Sequence, residues 1–168
     1  MKFEVRLPDL GDDAEHVSLD DAMIAVGNNS AGSLDSLSHA VAAGDIARAC
    51  RMSDMLLSEG IAPIVMVRSI ARYFGRLEQL AELRQTGLGL DAAIEAMQPK
   101  VFFKQKPLLR QDGARWGRNR LAAATHILQQ LELDTKRHHD QASLFLGQGW
   151  IKLAQLASAK DKNALRAA

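Results

Sequence analysis

An all-α fold, a bundle of about five to seven helices, is predicted by three features of this 168-residue sequence. Apolar residues recur at i, i+3 and i+4 through most of the chain, the period of a helix with one buried face. Glycines and prolines mark the joints between these periodic segments. Only residues 2–7, where Phe3, Val5 and Leu7 alternate with charges, read as a strand, and a lone strand has nothing here to pair with.

Taken in order, Ser18 with Asp21 three residues on makes a capping-box-like start for a short helix that Gly27 stops. The polar run 28–32 is the best linker candidate in the chain. Ser33 is then expected to cap a second short helix, with Leu34, Leu37 and Val41 on one side and Gly44 at its end. Asp45 caps a third, striped by Ile46, Ala49, Cys50, Leu56 and Leu57 and closed by Gly60. Pro63 suits a first helical turn, and nothing interrupts the pattern until Thr86 and Gly87. Val67, Ile70, Ala71, Phe74, Leu77 and Ala81 line one face of that rod, ~34 Å long at 1.5 Å per residue.

A short helix from Asp91 to Gln98 stops before Pro99. Val101, Phe102 and Phe103 form an aromatic knot leading into a helix that runs to about Trp116, with Pro107 tolerable only in its first turn. Asn119 is expected to cap a long helix with Leu121, Ala124, Leu128, Leu131 and Thr135 at heptad-like spacing. The last helix, 141–160, carries Leu144, Phe145, Ile151, Leu153 and Leu156, and the tail at 161–168 is expected to fray.

Composition narrows the function classes. The 47% hydrophobic and 24% charged residues match a globular domain, and a chain this long buries about two thirds of its unfolded surface. A single cysteine, Cys50, excludes an intramolecular disulfide framework and suits a reducing compartment. With 21 basic and 20 acidic residues the net charge is +1, so no global field draws the chain to nucleic acid. No run approaches the ~20 apolar residues of a membrane span, and residues 1–10 lack the apolar centre of a secretory signal. A cytoplasmic location without membrane contact is the expectation.

No constellation for catalysis, cofactor or metal emerges. The glycines at 27 and 32 have no P-loop lysine beside them, and no serine sits in a nucleophile elbow. Adjacent His138 and His139 diverge by about 100° on a helix, so with Asp140 they read as a solvated helix junction rather than a metal site. Two basic groups carry more information. Arg68, Arg72 and Arg76 stack at four-residue spacing, either as a stripe facing DNA phosphates or acidic partner residues, or as a solvated face whose stems cover apolar surface. Lys100, Lys104, Lys106 and Arg110 surround Phe102 and Phe103, which could stack single-stranded bases but read better as a core plug or subunit-interface anchors. Trp116 and Trp150 are likewise expected as core residues or subunit-interface anchors.

The run from Leu56 to Pro63, the run from Arg68 to Leu77, the run from Pro99 to Lys104 leading to Trp116, and the run from Leu131 to Lys136 together resemble the delta-subunit family of the bacterial DNA polymerase III clamp loader. Residues 17–21 and 43–45 sit where that family has similar segments, and the likeness extends over about 15–158. The resemblance implies a collar-like helical bundle at 33–160. Residues 1–30 would correspond to the end of the small lid domain, or to a segment foreign to the family. It also implies partners: the loader's ATPase subunits and the delta-prime subunit, with DNA inside the assembly. The family reaches the sliding clamp through an N-terminal domain that has no counterpart in these residues. Beside this assembly scaffold stands an alternative of another class, a helical DNA-binding module using the arginine stripe. An enzyme of unfamiliar type comes third.

Overall fold

A computed structural model describes residues 19–158, with side chains from residue 31 onward. The strand expected at 2–7, the cap at Ser18 and the tail at 161–168 lie outside the described residues. Among the described residues seven α-helices follow one another: α1 (Leu19–Ala43), α2 (Ile46–Ser58), α3 (Pro63–Gln85), α4 (Leu90–Ala96), α5 (Lys106–Arg115), α6 (Arg118–Arg137) and α7 (Ala142–Ser158), with a 3-10 turn at His139–Gln141. Among the described residues there is no strand, and no helix is long and apolar enough to cross a membrane.

The all-α expectation holds, with one joint misplaced. The linker expected at 28–32 is helical, so the two short helices drawn from Ser18 and Ser33 are one, α1. Glycine weakens a helix by about 1 kcal/mol relative to alanine but does not break it. The break comes where glycine turns left-handed. Gly44 and Gly60 have φ of +77° and +82°, and each closes its helix with the paired carbonyl contacts of a Schellman turn.

These two glycines differ in a testable way. A Cβ built on Gly60 meets nothing within 4 Å, whereas one on Gly44 lies 3.2 Å from the Ala157 Cβ of α7. Gly60→Ala should therefore cost only the left-handed backbone penalty, about 1–2 kcal/mol, and Gly44→Ala more. Urea midpoints of the two variants measure the gap, and equal losses would show that α7 gives way freely beside Gly44.

Helix α3 is the axis of the bundle, touching α1, α4, α5, α6 and α7. Its buried residues Met66, Val67, Ile70, Phe74, Leu77 and Leu80 include four of the six expected, while Ala71 and Ala81 are partly covered. Helix α6 buries all five expected positions, Leu121, Ala124, Leu128, Leu131 and Thr135, although Gly117 rather than Asn119 precedes it. A start displaced by two residues is an ordinary boundary shift. Helix α7 carries apolar residues on its outer side as well as its core face, beside the exposed Gln148, Lys152 and Gln155. It buries Leu146, Trp150 and Leu153 and leaves Leu144 and Ile151 exposed.

Both tryptophans are inside. Trp116 is 2% and Trp150 1% exposed, so neither reaches a neighbouring subunit and both anchor this bundle itself. Trp116 meets Phe74 edge-on at 4.8 Å and donates Nε1–H to the Ala42 carbonyl at 2.9 Å. The indole N–H of Trp150 reaches Ser53 Oγ at 2.8 Å, joining α7 to α2.

Candidate functional site

Three helices converge on one buried carboxylate. Asp112 on α5 is 3% exposed. Its Oδ2 accepts the Tyr73 hydroxyl of α3 at 2.7 Å and faces Nδ1 of His39 on α1 at 3.3 Å. The imidazole and phenol rings stand edge to face, 4.5 Å apart. Burial first, and then the adjacent Asp112 carboxylate, push the Tyr73 phenol far above its ordinary range. Two donors on one acceptor oxygen is a satisfied arrangement, the condition a buried carboxylate must meet. Among the described residues no serine or cysteine is hydrogen-bonded to His39. The trio ties α1, α3 and α5 together under a cleft.

The cleft lies over this network and holds about 190 Å³. Val101, Leu109 and the Tyr73 ring supply apolar lining, and Arg72 and Arg76 with Ser69, Asp35 and Gln105 supply the polar part. Small-molecule pockets span about 300–1,000 Å³, so this one is the size of a side chain rather than a cofactor. Its outer wall is the segment 98–105, strapped in place from both sides. Arg76 Nη2 donates to the Pro99 carbonyl at 3.0 Å, Gln79 to that of Gln98 at 2.8 Å, and the Gln105 amide to Asp35 at 3.1 Å.

The strapped segment overturns one expectation. Phe102 and Phe103 are not a core plug: they are 57% and 65% exposed, with ring centroids 4.6 Å apart. The interior at this joint is already filled by Met97 and Val101, which leaves the next two side chains in the turn before α5 facing outward. The Lys104 ammonium sits 5.9 Å from the centre of the Phe103 ring.

The basic groups divide. Arg68 turns to α6, where its Nε–H meets Glu132 Oε1 at 3.2 Å and Lys136 joins the same oxygen at 2.8 Å. Hydrogen bonding from Lys136 first, then from Arg68, holds Glu132 below the usual carboxylate range. Lys106 pairs with Glu95, and Arg110 with Asp91 at 2.6 Å, both on the α4 side. No carboxylate among the described residues forms an ion pair with Arg72, Arg76, Lys100 or Lys104. The arginine stripe is thus split, with Arg72 and Arg76 at the cleft and Arg68 elsewhere.

His138, His139 and Asp140 are exposed at the α6–α7 joint, where the His138 ring lies 5.5 Å from Phe145. Among the described residues no cluster of three or more histidine, cysteine, aspartate or glutamate side chains could hold a metal ion. Neither Asp112 nor His39 belongs to any motif in the sequence. Nothing local signals this network, because the partners of Asp112 lie 39 and 73 positions away. Comparison with protein-family models, with curated proteins and with solved structures finds no match to this chain.

Proposed function

We propose that this chain is a non-catalytic assembly module of the bacterial DNA polymerase III clamp loader, working in the cytoplasm through its helical collar. Its partners in this reading are the loader's ATPase subunits and the delta-prime subunit. The order and spacing of the segments that resemble the delta-subunit family give the reading its specificity. The observation that carries it physically is the apolar surface of the last two long helices. Leu144, at 56% exposure, and Ile151 stand two turns apart on α7, and Leu133 is exposed on α6. Large apolar side chains at regular helical spacing are what a neighbouring subunit covers.

The alternative, a DNA-binding module built on the arginine stripe, has less support. Arg68 is paired with Glu132 on α6 and Arg76 gives one N–H to the Pro99 carbonyl, so the three do not present one continuous row of open guanidiniums to a phosphate backbone.

Size-exclusion chromatography tests the assembly. The chain is expected to co-elute with the loader's ATPase and delta-prime subunits at micromolar concentration. The pair Leu144→Asp with Ile151→Asp should elute apart from them while keeping its helical circular dichroism. Separate elution of the unaltered chain would overturn the proposal.

A further inference from the structure

Four cations face the cleft or border it in sequence on the strapped segment. Arg72, Arg76, Lys100 and Lys104 stand against one carboxylate, Asp35, which already accepts the Gln105 amide. Every neighbouring basic residue that could be neutralised within the fold has been: Lys106 by Glu95, Arg110 by Asp91, Arg68 by Glu132. In a chain of net charge +1, this local excess is a property of the site and not of the whole protein. The same wall exposes two aromatic rings, Phe102 and Phe103, the most open large apolar side chains among the described residues.

We propose that this cleft receives a short acidic segment of a partner protein carrying one apolar anchor side chain. The anchor enters between Tyr73, Val101 and Leu109, which line a space of side-chain size. Carboxylates flanking the anchor meet Arg72, Arg76 and Lys104, with arginine offering the bidentate geometry that suits them. Phe102 and Phe103 then cover the apolar neighbours of the anchor, the arrangement of a buried centre and a charged rim.

A single-stranded nucleic acid fits less well. Its bases would need a free aromatic face, and the Phe103 ring is approached by Lys104 and packed against Phe102. The inference stands apart from the loader reading, since it fixes the chemistry of a ligand and not the identity of an assembly.

Fluorescence anisotropy on the full chain tests it, using a labelled short peptide with a central phenylalanine flanked by aspartates. Three controls accompany it: the same peptide with lysines for the aspartates, with alanine for the phenylalanine, and a labelled oligo-dT strand. The acidic peptide should bind, weaken with added salt, and lose about tenfold or more in affinity with Arg72→Glu or with Phe103→Ser. Both positions are exposed, so both variants should melt at the temperature of the unaltered chain. No binding of the acidic peptide up to millimolar concentration would overturn the proposal. Equal binding of the lysine peptide, tighter binding of oligo-dT, or indifference to both substitutions would do the same.

Discussion

Trp150→Ala is expected to lower stability by about 3–5 kcal/mol, the range for removing a large aromatic side chain from a packed core. In a chain of this size that is a melting temperature lower by roughly 6–20 °C. Trp150 belongs to α7 but lies at the joint of several elements, since α7 packs on α1, α2, α3 and α6. Its neighbour Gly149 is placed so that a Cβ would come within 2.5 Å of Leu131 Cδ2, which shows how closely α6 and α7 approach there. A conservative series separates packing from polarity. Trp150→Phe keeps most of the ring but strips Ser53, buried at its side, of the indole donor. That change should cost less than the alanine substitution. Adding Ser53→Ala to Trp150→Phe should recover part of the loss, because a polar partner left alone in the interior costs more than a matched apolar pair. Thermal melts of the parent and the three variants provide the measurement. A Trp150→Ala variant as stable as the parent would mean that α7 does not seat on the bundle through this residue.

Much of this interior could be read from the residues, and the reason is periodicity. The stripes of α3 and α6 were legible because apolar side chains at helical spacing, bounded by Pro63 and by the Thr86–Gly87 stop, admit few other structures. The unity of α1 was not, because glycine and asparagine lower helix propensity without forbidding the conformation, and only a left-handed φ such as that of Gly44 marks a true end. Phe102 and Phe103 were misjudged for a related reason. Outside a periodic element, hydrophobicity says nothing about which way a side chain faces, and Met97 and Val101 had already taken the inside positions. On α7 apolar residues also occupy the outer side, so the sequence could not separate the core-facing Leu146 and Leu153 from the exposed Leu144 and Ile151. The cleft and the carboxylate under it were beyond reach, since α1, α3, α5 and the segment 98–105 each supply one part and nothing local signals their meeting.

Asp112→Ala is expected to cost about 2–4 kcal/mol, because it leaves two partly buried donors, the Tyr73 hydroxyl and His39 Nδ1, without their acceptor. Asp112→Asn retains one acceptor oxygen and should cost less. Tyr73→Phe removes one donor and its need for a partner together, so its loss should fall below that of Asp112→Ala. Combining Tyr73→Phe with Asp112→Ala should then cost less than the two losses added, by about 1–3 kcal/mol, since the groups act as one network. The phenol provides a second, independent readout, because Tyr73 is the only tyrosine in the chain. Its folded-state pKa lies above that of a free phenol, so the folded protein holds this proton at pH values where the unfolded chain has released it. The stabilisation is therefore complete below the unfolded phenol's pKa of about 10, and it declines as pH rises beyond that, at up to ~1.4 kcal/mol per pH unit. Lysines also titrate in that range, and the difference between the parent and Tyr73→Phe isolates the phenol. Phenolate absorbance in the parent should appear only together with the loss of helical circular dichroism. A phenol that ionises near pH 10 while the helices remain intact would show that Asp112 does not hold the Tyr73 proton, and the link it makes between α1, α3 and α5 would fall with it.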